Sequence, residues 1–234
     1  AINVIDQRLL PFELKIVKIT KYKDMVMAIK DMTVRGAPLI GIAGAYAIAL
    51  ALQEMIHKKQ QAEKINEIVG EVRSARPTAV NLMWAVDKVA SMLDFSLSLE
   101  ENYECALATA RQIFSDEVAS CESIAKFGFE LIEDLHTENR RPINILTHCN
   151  AGWLATVDWG TALAPIYYAH RKGIPLHIWV DETRPRNQGA KLTSFELLGE
   201  GVPHTIIADN TGGLLMQMGK VDAVIVGADR VTSK

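Results

Sequence analysis

The chain has 234 residues, 49% hydrophobic and 23% charged, which suits one large globular domain or two modest ones. A formal net charge of -3 gives no global field that would favour nucleic acid or an acidic membrane. Three cysteines, Cys105, Cys121 and Cys149, are an odd number without a CxxC pair, which argues against a disulfide framework or a zinc site and for a reducing compartment. No secretory signal opens the chain. The uncharged run 37–53 is shorter than the roughly 20 residues a membrane helix needs, so a cytoplasmic protein without a membrane partner is expected.

Residues 1–22 carry two short apolar runs, Leu9–Pro11 and Leu14–Ile19, read as strands, and 23–32 reads as a short helix. Arg35, Gly36, Ala37 and Pro38 open a long apolar helix that turns polar near Gln53–Gln61. Pro38 fits the first helical turn, where its missing N–H costs nothing. Gly36 and Ala37 then lie at a helix N-terminus beside an arginine, the outline of an anion site or of a plain helix start with a surface charge. Arg76 and Pro77 repeat the pattern before a helix over 78–93. Helices broken or bent near Ser115–Asp116 fill 99–135, and the polar connector 137–142 ends in proline.

Beyond Pro142 strands alternate with helices. Strands are expected at Ile143–Leu146, Leu176–Val180, His204–Ala208 and Ala223–Val226, with helices at 156–172, 190–198 and 213–219. Pro165 either bends the first of these helices or marks its start, and Gly173 stops it. Alternation of this kind implies a parallel, doubly wound sheet whose strands all end along one rim, where open α/β sheets bind ligands. Cys149, the polar loop 181–189, Asp209 and Asp229 each follow a strand closely. They bring a thiol, carboxylates, Arg184, Arg186 and Gln188 to that rim.

A thiol and a carboxyl across a cleft can share proton transfer if burial keeps the acid protonated near neutrality. The bland alternatives are a small buried hydrophobe for Cys149 and a helix N-cap for Asp229. His148 and Cys149 are adjacent, so their side chains diverge and no dyad is assigned. The remaining histidines lack metal-ligand spacing, and neither a GxGxxG nor a Walker loop is present, so no metal, dinucleotide or nucleoside triphosphate is indicated.

The segments 34–47 (VRGAPLIGIAGAYA), 75–85 (ARPTAVNLMWA), 147–152 (THCNAG), 179–193 (WVDETRPRNQGAKLT) and 227–230 (GADR) closely resemble the 5-methylthioribose-1-phosphate isomerase family. The resemblance runs over essentially the whole chain. The first motif is shared with the regulatory subunits of the exchange factor for translation initiation factor 2 and with a ribose 1,5-bisphosphate isomerase; THCNAG and DETRPRNQGA point to the methylthioribose enzyme. The resemblance implies a mostly helical domain with a few short strands over 1–118 and a Rossmann-like parallel-sheet domain over 119–234. It also implies a cofactor-free aldose–ketose isomerisation of a small sugar phosphate in methionine salvage and a homodimer. Cys149 and Asp229 match the family's catalytic pair, and Arg35, Gly36, Ala37, Arg76 and Gln188 match its substrate contacts. The family continues past GADR into further substrate-contacting residues and strands. The sheet domain is therefore expected to be incomplete at its C-terminus, and a chain ending at Lys234 is expected to show weak or no activity.

Overall fold

In the computed structural model, residues 1–59, 64–228 and 232–233 are described, and the chain divides into two compact units, Ala1–Glu117 and Val118–Lys234. The expected architecture is present: helices with a two-stranded ribbon first, then a four-stranded parallel sheet with helices.

In the first unit, β1 (Ile2–Ile5) pairs antiparallel with β2 (Ile16–Ile19). The strand expected at Leu9–Pro11 is instead a turn. Leu9 N–H bonds back to Asp6, Phe12 N–H bonds to Leu9, and Arg8 folds its guanidinium onto the Asp6 carboxylate at 2.7 Å. Leu10 is buried there as a plug, so its apolar character reflects packing and not a ladder. After α1 (Tyr22–Lys30), α2 (Ala37–Lys58) takes Pro38 in its first turn, as expected. With 22 residues α2 is longer than its uncharged run, and by length and composition it could cross a membrane. Most of it is nevertheless buried, packed against α1, α3 (Ile65–Arg73) and α4 (Val80–Ala90). Gly41 and Gly44 permit that closeness: a Cβ at Gly41 would meet the Asn81 carbonyl at 2.9 Å. Pro77 does not start α4. Ala79 is still extended, and the proline lies in the lead-in, because a fixed φ near −65° suits an extended segment as well as a helical turn.

The helix α5 (Leu99–Asn139) runs unbroken for 41 residues, where a break near Ser115–Asp116 was expected. Neither residue is a glycine or proline, both are exposed, and Gln112 Nε2 donates to Asp116 Oδ1 at 2.7 Å across one turn.

The sheet of the second unit has the order β5-β4-β3-β6, all parallel: β3 (Ile143–Thr147), β4 (Leu176–Asp181), β5 (His204–Ile207) and β6 (Ala223–Val224). Ile143, Ile145, Ile178 and Val180 are fully buried and pack with Ile166 and Tyr167 of α6 (Ala164–Arg171) and Leu197 of α7 (Ser194–Gly199). Each such side chain contributes about 1.5–3 kcal/mol. Pro165 marks the start of α6; the positive φ of Trp159 and Gly160 ends any earlier helix, leaving a single 3₁₀ turn at Trp153–Ala155. The helix expected at 190–198 is a π-helical turn, Gly189–Thr193, running into α7, and α8 (Thr211–Gln217) precedes β6. Chain order reverses between β3 and β6, since β4 and β5 lie on one side of β3 and β6 on the other. That reversal is a topological switch point, where open α/β sheets form a crevice.

Candidate active site at the strand ends

The crevice is stitched at its base. Ile225 N–H bonds to the Leu146 carbonyl at 3.0 Å, and Thr147 Oγ1 donates to the Ile225 carbonyl at 2.8 Å. The chain leaving β6 then reaches Gly227, where an added Cβ would come within 3.0 Å of the Ala151 side chain.

Directly above β3, Cys149 is half-buried with φ +62°, a left-handed conformation uncommon for a residue with a Cβ. Two threonines hold it there. Its N–H donates to Thr183 Oγ1 at 2.8 Å, and its carbonyl accepts from Thr193 Oγ1 at 2.6 Å. Such a backbone costs about 1–3 kcal/mol and persists where surrounding contacts over-determine it, most often at functional sites. The loop after β4 is equally constrained. Thr183, β-branched yet at φ +64°, donates a hydroxyl hydrogen bond to the Asp181 carbonyl, and Asp209 accepts from the N–H groups of Thr183 and Arg184, both at 2.7 Å. Those backbone donors, led by Arg184, hold the Asp209 carboxyl below its ordinary range. Gly189 closes the loop against β4, where any Cβ would overlap the Asp181 carbonyl, and Gln188 stands half-buried just before it.

His148 Nδ1 lies 3.0 Å from Asp181 Oδ2, and His148, Asp181 and Asp209 bring one potential ligand atom each within 4.8 Å of one another. The end of β4 and the loops after β3 and β5 supply the trio, so sequence spacing could not reveal it. Both Asp209 oxygens accept backbone donors and Asp181 Oδ2 faces His148, whereas Asp181 Oδ1 is buried without a hydrogen-bond partner among the described residues. The trio clamps the loops.

Glu196 was missed entirely by the sequence. It is fully buried beneath the Cys149 loop and accepts from Asn150 Nδ2 at 2.7 Å, Tyr167 Oη at 2.9 Å and Leu154 N–H at 3.3 Å. Burial raises its carboxyl to about 7 against the opposing pull of these hydrogen bonds. The signal available was an acid flanked by Phe195 and Leu197 in a short apolar helix.

The remaining expected contacts lie in the first unit. Gly36 caps α2 with φ +99°, Arg35 and Ala37 flank it half-buried, and Arg76 is half-buried in the lead-in to α4. The second turn of α2, at Gly41, packs on the first turn of α4, at Asn81. Asp229 lies outside the described residues.

Residues 33–234 match the family model described as "Initiation factor 2 subunit family". The chain belongs to the initiation factor 2 subunit family. Within and around that family it is 50% identical over 233 residues to a protein of Methylorubrum populi and 54% identical over 233 residues to one of Sulfurimonas denitrificans, both named methylthioribose-1-phosphate isomerase. The alignments cover 100% and 99% of this chain, which spans only 62% and 63% of those relatives' length. Among solved structures, the 5-methylthioribose 1-phosphate isomerase of Pyrococcus horikoshii superimposes with a TM-score of 0.83 at 36% identity, over 98% of this chain and 63% of that one. The subunit delta of translation initiation factor eIF-2B from A. fulgidus superimposes with a TM-score of 0.78 at 37% identity, over 98% and 66%.

Proposed function

We propose that this protein is an aldose–ketose isomerase that converts 5-methylthioribose 1-phosphate to 5-methylthioribulose 1-phosphate, a step of methionine salvage, in the cytoplasm and as a homodimer. The observation that carries this reading is the half-buried thiol of Cys149, held in a left-handed backbone above the central strand at the switch point. It sits in a chain about half identical, end to end, to proteins bearing the isomerase name.

The chemistry calls for such a group. The anomeric carbon of an aldose 1-phosphate is locked as an ester, so the ring cannot open as a free hemiacetal does. In our reading Asp229 protonates the ring oxygen as the C1–O bond breaks. Cys149 takes the proton from C2 and returns it to C1, and the C2 hydroxyl gives its proton back to Asp229, leaving a ketone at C2. In the alternative path the C2 hydrogen migrates to C1 as a hydride and Cys149 only assists. Arg35, Gly36, Ala37 and Arg76 are the proposed phosphate contacts, by helix N-terminal donors and guanidinium charge, with Gln188 a further substrate contact. The path from β6 to Gly227 beside Ala151, two residues short of Asp229 in sequence, supports pairing that acid with Cys149.

The A. fulgidus neighbour favours a second reading, a non-catalytic subunit resembling those of the exchange factor. Such a subunit has no need of a constrained thiol. A coupled assay decides, run on 5-methylthioribose 1-phosphate and on ribose 1,5-bisphosphate. In a polypeptide that continues past Lys234 turnover of the first is expected, with Cys149→Ser and Asp229→Asn each lowering kcat about 10²- to 10⁴-fold. Wild-type rates in Cys149→Ser would refute the assignment. In deuterated water, label at C1 of the ketose marks proton transfer and its absence marks hydride migration.

A further inference from the structure

The isomerisation chemistry makes no direct use of Glu196, yet its hydrogen-bond donors, Tyr167 of α6 apart, belong to the loop that carries the thiol. Asn150, one of its donors, is the residue after Cys149; Leu154 and Trp153 give it backbone N–H groups from the turn that follows. Asn150 Nδ2 also donates to Thr193 Oγ1 at 3.3 Å, the same hydroxyl that donates to the Cys149 carbonyl. A continuous hydrogen-bonded path therefore runs from Glu196 through Asn150 and Thr193 to the Cys149 backbone. Gly152 records the same closeness, because any Cβ there would overlap the Glu196 carboxylate.

We propose that Glu196 is a positioning residue for the isomerisation: in its ionised form it accepts the donors of the Asn150–Leu154 segment and so holds the Cys149 loop in its working geometry. This inference rests on the isomerase reading above. Every polar neighbour of the carboxylate is a donor, so the ionised acid satisfies them all. Once protonated, it presents a hydrogen of its own to those donors, and only the Tyr167 hydroxyl can turn to accept it. Burial sets that protonation near neutrality. From α6 the group facing Glu196 is Tyr167, itself pushed up by burial and by Glu196; Arg171 and Glu200, paired at 2.8 Å, act on Tyr167 from beside it. From the loop and the π-helical turn come Asn150, Thr193 and backbone N–H groups, all uncharged.

The test is Glu196→Gln, which keeps the shape and removes the titration. Two readings are taken from about pH 5.5 to 8.5: steady-state kinetics, and the rate at which iodoacetamide alkylates Cys149, resolved by peptide from Cys105 and Cys121. In the wild type both fall as pH drops through about 7. In Glu196→Gln the inflection near 7 is lost from both, leaving in the alkylation rate only the slope of the thiol's own ionisation, and kcat at pH 8 drops about 10- to 100-fold with KM within about threefold, as expected when a reacting group is misplaced. Tyr167→Phe, which deletes one donor to the ionised acid, moves the wild-type inflection to higher pH and serves if Glu196→Gln does not fold. Unchanged pH profiles in these variants, or a lower melting temperature with unchanged kcat per folded molecule, overturn the proposal. A wild type that turns over no sugar phosphate defeats the isomerase reading instead, while the alkylation profiles still decide whether Glu196 governs the thiol loop.

Discussion

The strand-end rim of the second unit and the helix mouths of the first handle their backbone polar groups in opposite ways. At the rim, side chains take both backbone groups of Cys149 and the successive N–H groups of Thr183 and Arg184. At the starts of α2 and α4, among the described residues, no side chain caps the helix. The difference suits the tasks proposed for each, although α1, α3, α6, α7 and α8 also start without a side-chain cap. A group that moves protons must be fixed before substrate arrives, whereas donors meant for a phosphate are of use only if the protein has not already satisfied them.

The comparison is broken most sharply at Glu196, where fixing a loop costs stability. Its folded pKa of about 7 lies above the ordinary 4.5, so between those values the folded chain binds more protons than the unfolded one. Its contribution is fully present below pH 4.5 and is lost as pH rises through 7, by about 3 kcal/mol in total. Urea denaturation at pH 5 and pH 8 should show that loss in the wild type relative to Glu196→Gln; parallel curves for the two would end the assignment. The opposite region is probed by Arg35→Ala and Arg76→Ala. Each is expected to raise KM about 10- to 100-fold while kcat stays within about threefold, the pattern of lost uniform binding. Unchanged KM would detach the helix mouths from the phosphate. The smallest effect is expected from Asp209→Asn, which leaves one oxygen for two backbone donors. Activity should fall about threefold to tenfold, and the Thr183 and Arg184 amides should exchange faster with deuterated water. Since the Asp209 pKa is lowered in the fold, the clamp it provides is present above pH 3.8 and is lost as pH falls through the folded value. Amide exchange that is indifferent to the substitution would show that the loop holds itself.

Much of the sheet unit was legible because each buried strand is a short apolar run bounded by polar loops, as in Ile143–Thr147 and Leu176–Asp181. Strand order was not legible. The placement of β6 beside β3 depends on pairing across nearly eighty residues, and no local pattern encodes it. The position of Cys149 at a strand end could be read, but its left-handed backbone could not, since the two threonines that impose it come from other loops. Ser115 and Asp116 misled because weak helix formers do not end a helix that packing and an i,i+4 bond sustain. Leu10 misled for the converse reason, an apolar residue buried in a turn.

The wide π-helical turn at Gly189–Thr193 is what aims Thr193 at the thiol loop. Relative to an ordinary helix it holds one surplus residue, and each residue turns a helix by about 100°. Excising a single residue there would tighten the turn to an ordinary helix with α7 kept in phase, removing the bulge that sets Thr193 against the Cys149 carbonyl. The surplus residue therefore serves the thiol loop through Thr193, while the aim of Glu196 belongs to the helix that follows.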